Sequence, residues 1–176
     1  GRGEKKQSKT LNRASNVLRQ PGSTFKILSS FAPAIDLYGA TLASTYYDSE
    51  YTVGKKTFKN WYSGGYLGFQ SIRDGIVYSL NIVAVRCLMD TVKVENGFRY
   101  AESLGITSLV PEDANPALAL GGLTRGVSNL EMTQAFSVIA NKGRFQKAKF
   151  FSKIEDQNGK VIIDTTEDEP EQVMKS

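Results

Sequence analysis

Pro21 and Gly22 break the chain, and from Ser23 to about Tyr38 an apolar run follows: Ile27, Leu28, Phe31, Ala32, Ala34, Ile35 and Leu37. These residues fall on several faces of a helix, not on one stripe, and a helix patterned that way is buried. Pro33 should kink it or locally loosen it, and Gly39 is placed to stop it. The start of this helix also carries chemistry. Residues three apart share a helix face, so the Ser23 hydroxyl and the Lys26 amine can meet without help from distant segments. A serine is a weak nucleophile until a base takes its proton, and the chain has no histidine to do so.

Composition narrows the remaining chemistry. A chain of 176 residues with 40% hydrophobic and 23% charged content is one ordinary folded domain with room for a core. The absence of histidine removes Ser-His-Asp and Cys-His catalysis and most zinc sites. The single cysteine, Cys87, rules out a disulfide within the chain and a cysteine-built metal site; in its apolar surroundings it reads as a buried, inert thiol. No metal and no cofactor are expected. The net charge of +4 is mild. The one dense basic stretch, Arg2 to Arg13, reads as a frayed, solvated end and not as a nucleic-acid or membrane patch. No apolar run approaches the ~20 residues of a membrane helix, nor does the N-terminus look like a signal peptide. A start at Gly-Arg-Gly without Met suggests an excised piece.

Local signals organise the rest. Residues 40–68 form a long connection rich in Tyr, Gly and Ser, with a small hairpin over Tyr51 to Phe58. Its aromatics, Tyr46, Tyr47, Trp61, Tyr62 and Tyr66, either line a groove or pin the loop to the body. Ser71-x-x-Asp74 opens a helix, Ser79-Leu80-Asn81 interrupts, and a second helix runs from about Ile82 to Met89. Another spans Glu95 to Leu104 and stops at Gly105. Ala117 to Leu120 ends in the pair Gly121-Gly122, which need only permit a tight turn. Ser128-x-x-Glu131 caps a helix through Ala140. Asp156-Gln157-Asn158-Gly159 is a hairpin signal between Phe150–Glu155 and Lys160–Asp164. The acidic end, 165–176, reads as loosely ordered. The expected fold is mostly α with a late β-hairpin: helices over about 10–149, the hairpin over about 150–164. No βαβ alternation is visible, which hints that sheet strands are missing.

Ser-x-x-Lys or Ser-x-Asn alone arises by chance. Their surroundings are more specific. Asn12-Arg13-Ala14 with Arg19-Gln20-Pro21-Gly22-Ser23-Thr24-Phe25-Lys26 resembles the active-site entry of penicillin-binding protein transpeptidase domains, of the bifunctional class A type. Asn60-Trp61, Gly65-Tyr66-x-Gly68, Ser71-Ile72-Arg73-Asp74-Gly75 and Ser79-Leu80-Asn81-Ile82-x-Ala84-Val85-Arg86 resemble the segment carrying the second motif. Leu118-Ala119-Leu120-Gly121, Gly126 to Met132 and Ala140-Asn141-Lys142-Gly143 resemble the downstream pattern. The resemblance covers about residues 10 to 165.

It implies a serine β-lactamase-like transpeptidase fold, an α/β (α+β) arrangement of which 1–176 is one partial domain. It also implies that Ser23 is the nucleophile on peptidoglycan stem peptides ending in D-Ala-D-Ala and the residue acylated by β-lactam antibiotics. The same resemblance implies that Lys26 acts as base, that Ser79 relays a proton to the leaving group, and that Asn81 holds the substrate amide and Lys26. The third family motif, Lys-Thr-Gly or Lys-Ser-Gly, does not occur in the sequence. The expectation is therefore a fragment without that strand, weakly active or inactive alone and prone to self-association through an uncovered apolar face. The parent protein is expected to be membrane-anchored and to act on the extracytoplasmic side of a bacterial cell membrane. The alternative is a non-catalytic penicillin-binding sensor or scaffold domain of the same fold; a D,D-carboxypeptidase fits the class A surroundings less well.

Overall fold

A helix that is apolar on several faces needs partners on several sides, and the structure supplies them. The computed structural model describes residues 11–166 and 168–175; the basic stretch expected to fray lies mostly outside this range. The central segment opens as a 3₁₀ turn, Gly22–Thr24, continues as a π-helical stretch, Ile27–Phe31, and finishes as α1, Ala32–Tyr38, which ends at Gly39. Around it lie α2 (Ile72–Val77), α3 (Asn81–Arg86), a π-helical stretch Cys87–Val92, α4 (Val94–Ser103), a 3₁₀ helix Pro116–Leu120 and α5 (Asn129–Ala140). Phe25, Leu28 and Phe31 from the central segment share one core with Ile82, Val83, Leu88, Leu104 and Leu118. Both capping boxes form, at Ser71 with Asp74 and at Ser128 with Glu131. The helix expected from Ile82 to Met89 is α3 running on into the π-helical stretch. Cys87 is buried there, and burial pushes its thiol up to about 12.

The π-helical turn answers Pro33. Proline offers no N–H to the carbonyl four residues back, and its ring crowds that carbonyl; here it belongs to Ser29. A wider turn accommodates the misfit, so the local loosening read from the sequence takes this form. Gly97 of α4 packs directly onto the same carbonyl. A Cβ on Gly97 would stand 2.4 Å from Ser29 O and 2.5 Å from Leu88 Cδ1, so only glycine permits this approach. Gly97→Ala is expected to cost about 1–3 kcal/mol through overpacking, seen as a lowered midpoint in thermal denaturation. An unchanged midpoint would show that the contact is slack.

Strands are more numerous than one late hairpin. β1 (Thr45–Asp48) pairs antiparallel with β4 (Gly68–Ser71), Thr45 opposite Ser71 and Asp48 opposite Gly68. Between them β2 (Tyr51–Val53) and β3 (Lys56–Phe58) make the expected small hairpin. Helices still dominate; what the expected mostly α fold with a late hairpin lacked is the β1–β4 ribbon, which folds the 40–68 connection around the expected small hairpin. The chain closes with β5 (Arg144–Phe145), β6 (Lys153–Glu155), β7 (Val161–Asp164) and β8 (Glu171–Gln172). β6 and β7 form the expected hairpin, with Ile154 opposite Ile163. β8 pairs with β5, Val173 and Met174 pack against the core, and Lys175 N donates to Asp36 Oδ1 at 2.9 Å. The acidic end read as loose is thus tied back to the central helix. Among the described residues every sheet is a two-stranded ribbon.

Candidate active site

The start of the central segment places its two polar residues in opposite surroundings. Ser23 is exposed on the opening 3₁₀ turn, whereas Lys26, one turn on, is 2% exposed. The Lys26 amine donates to Ser79 O at 2.7 Å and to Asn81 Oδ1 at 2.7 Å, and stands 3.0 Å from Ser79 Oγ. The structure therefore brings Lys26, Ser79 and Asn81 into one cluster. Ser23 sits on the adjoining turn, and its hydroxyl is not among the hydrogen-bond partners of the amine.

Ser79 reaches the amine twice because of its backbone. Its φ is 53°, the left-handed region that a non-glycine residue enters at a cost. It joins the end of α2 to the start of α3, with Leu80 N donating to Gly75 O at 3.0 Å. This bend turns both its carbonyl and its hydroxyl toward Lys26. Asn81 is oriented by its other end, where Nδ2 donates to Lys59 O at 2.9 Å, so Oδ1 faces the lysine.

Burial lowers the Lys26 amine from its ordinary 10.5 to about 8, because the charged form loses its hydration. A neutral amine has two N–H groups and one lone pair. Ser79 O and Asn81 Oδ1 can only accept, so they take the two N–H groups and leave the lone pair toward the Ser79 hydroxyl. In the charged form the third N–H points there instead. This geometry permits one proton to pass between Lys26 and Ser79 without moving a heavy atom.

Four features that sequence reasoning left without a role also shape the site. Gln20 pairs its side-chain amide with the Leu123 backbone, accepting from Leu123 N at 2.8 Å and donating to Leu123 O. Arg19 and Val127 exchange backbone hydrogen bonds at 2.9 and 2.8 Å. Gly121, at φ 67°, lies so close that a Cβ would meet Gly22 O at 2.3 Å. The 117–127 segment thus clamps the residues just before Ser23, and the glycine read only as a turn former makes that approach possible. The fourth feature is Asn60, held between Asp48 and the start of α3.

Hydrogen bonds place two of the loop aromatics in the pinning role weighed for them. Tyr46 OH pairs with Thr91 Oγ1 at 2.7 Å, and Tyr62 OH donates to Asp48 Oδ2 at 3.3 Å; these pin the loop. Trp61, 71% exposed, donates Nε1 at 3.0 Å to the carbonyl of Tyr78, the residue before Ser79.

Comparison with known proteins places the chain in a family. The family described as penicillin binding protein transpeptidase domain matches residues 2–176. The chain is 34% identical over 180 residues to penicillin-binding protein 1A of Clostridium botulinum (strain Langeland), covering 93% of this chain and 21% of that protein. It is 40% identical over 161 residues to penicillin-binding protein 1F of Bacillus subtilis, covering 92% and 22%. The chain therefore spans about a fifth of the length of these relatives. Its fold matches the structure of PonA1 from Mycobacterium tuberculosis with a TM-score of 0.80 at 22% identity, over 97% of this chain and 47% of that one. Sequence motifs, site geometry and relatives converge, and the chain belongs to the penicillin-binding protein transpeptidase domain family, of the class A type.

Proposed function

We propose that this chain carries the acyl-serine machinery of a peptidoglycan D,D-transpeptidase, the cross-linking activity of the bacterial cell wall. The observation that carries the reading is the buried Lys26 amine, held by Ser79 and Asn81 one helical turn from an exposed Ser23. Ser23 Oγ attacks the carbonyl of the penultimate D-Ala of a stem peptide. Its proton passes to the neutral Lys26 amine and from there through Ser79 to the departing D-Ala nitrogen. The C–N bond breaks, D-Ala leaves, and the acyl group stays on Ser23 until the amine of a neighbouring stem takes it. Free N–H groups at the helix start favour the negative charge that develops on the carbonyl oxygen. A β-lactam acylates the same hydroxyl by opening its ring.

The substrate places this chemistry on the extracytoplasmic face of the membrane. Among the described residues no helix is long and apolar enough to cross a membrane, so anchoring is proposed for the parent protein outside this segment. Self-association through exposed apolar side chains near the late hairpin, among them Phe150 and Ile162, belongs to the same reading.

The sequence holds no Lys-Thr-Gly or Lys-Ser-Gly, so this chain alone should be acylated slowly. Incubation with a fluorescent penicillin, followed by mass spectrometry of the labelled peptide, is expected to show slow adduct formation on Ser23. Rapid stoichiometric labelling would refute the slowness. Failure of a longer chain that includes a Lys-Thr-Gly motif to label at all would overturn the enzyme reading. Labelling without transfer from a stem peptide in that longer chain would favour a penicillin sensor.

A further inference from the structure

The first N–H groups of a helix have no partner within it. In most helices the residue just before supplies a side-chain oxygen. At α3 that residue is Leu80, which has none. The oxygen comes instead from Asn60, more than twenty residues away: its Oδ1 accepts from Asn81 N at 2.9 Å and from Ile82 N at 3.3 Å.

That arrangement fixes which way the Asn60 amide faces. Its nitrogen must point the other way, and it donates to Asp48 Oδ1 at 2.8 Å. Asp48 is 1% exposed. Buried carboxylates need donors, and this one receives two more on Oδ2, from Leu67 N at 2.9 Å and Tyr62 OH at 3.3 Å. An acid that would normally be solvated on a strand end is thus fully engaged inside the loop. Through Asn60 it is hydrogen-bonded on to the start of α3.

The neighbouring carbonyl completes the grip. Lys59 O accepts from Asn81 Nδ2 at 2.9 Å. One dipeptide, Lys59-Asn60, therefore holds Asn81 by both its backbone and its side chain. A flipped Asn81 amide would set oxygen against the Lys59 carbonyl and nitrogen against the Lys26 amine. The only favourable orientation leaves Oδ1 on Lys26 Nζ, at 2.7 Å.

We propose that Asp48 and Asn60 are a positioning pair for the catalytic cluster: they fix Asn81, and through Asn81 the Lys26 amine. This rests on the transpeptidase reading only for its consequence in rate. The geometric part is independent of it. A loop that merely needed to stay folded would lose stability on mutation but would leave Asn81 in place.

Two measurements on the whole chain separate these cases. Side-chain scalar couplings report whether Asn81 holds one χ1 rotamer, and the second-order rate of Ser23 acylation by a fluorescent penicillin reports function. In Asn60→Ala the Asn81 couplings should become rotamer-averaged and acylation should slow about 10-fold, typical of losing a residue that orients a site group. The double variant Asn60→Ala/Asn81→Ala should be no slower than Asn81→Ala, because Asn60 acts through Asn81. Asn60→Asp keeps an oxygen for the two amides and can hold a proton toward Asp48; it should retain the fixed rotamer even if Asn60→Ala fails to fold. Additive rate losses, or a fixed Asn81 in Asn60→Ala, would overturn the proposal. A longer chain with a Lys-Thr-Gly motif that never acylates, yet whose Asn81 rotamer depends on Asn60, would refute the transpeptidase reading and leave the positioning pair standing.

Discussion

Ser23→Ala is expected to abolish covalent labelling by a fluorescent penicillin while leaving the thermal midpoint unchanged. The two halves of this result come from the same observations. Ser23 is exposed, and the opening turn makes no side-chain cap hydrogen bond. A capping serine would cost about 0.5–2 kcal/mol on replacement by alanine; an exposed one outside any such feature costs within about 0.5 kcal/mol. Alanine also suits a helix start. The nearby hydroxyls are poor substitutes. Thr24 Oγ1 donates to Pro21 O at 2.7 Å, and Ser79 Oγ is held at the Lys26 amine. The loss should exceed about 10³-fold, as for other serine nucleophiles. In-gel fluorescence and thermal denaturation on the same samples test it. A variant that labels at the wild-type rate would remove Ser23 from the mechanism, and a large drop in midpoint would return it to a structural role.

What was legible in the sequence was what is local. The buried helix follows from apolar residues on several faces, and its disturbance follows from Pro33. The capping boxes at Ser71 and Ser128 and the Asp156–Gly159 turn each lie within a few residues. The motif resemblance gathered Ser23, Lys26, Ser79 and Asn81, but spacing alone suggested that Lys26 turns to Ser23. The amine turns instead to residues 53 and 55 positions on, a choice that tertiary packing makes. The β1–β4 ribbon is not legible because Gly68-Phe69-Gln70-Ser71 carries no alternating apolar pattern, and its one large apolar residue, Phe69, is the exposed one. Asp48 reads as an ordinary solvated acid in Tyr-Tyr-Asp-Ser-Glu; only the folded loop buries it. The end of the chain departs from its composition for a related reason. Its acidic, proline-containing composition says loose, but Val173, Met174 and the Lys175 backbone find partners that composition does not encode.

The second large effect belongs to Lys26, and pH exposes it. If the neutral amine takes the Ser23 proton, the acylation rate of the wild-type chain should rise with pH through about 8 and then level off. Stability should follow a different course. Between about 8 and 10.5 the unfolded chain keeps the proton on Lys26 and the folded chain does not. Stability therefore rises with pH across this window, by a total on the order of 3 kcal/mol, and the penalty is fully present below it. Lys26→Met keeps length and packing but removes the titration. It should cut labelling by about 10²–10⁴-fold, the usual worth of a positioned base. At neutral pH its stability reflects two opposed changes: relief from burying a charged amine, and a cost of about 1–3 kcal/mol for leaving Ser79 O and Asn81 Oδ1 without a donor. The diagnostic quantity is the difference between the two proteins in urea midpoint from pH 7 to 10, since other groups titrate equally in both. Wild type should gain on the Met variant as pH rises through the window. Parallel curves would mean that Lys26 keeps its ordinary affinity for protons, and with it would go the case for a neutral lysine as the base.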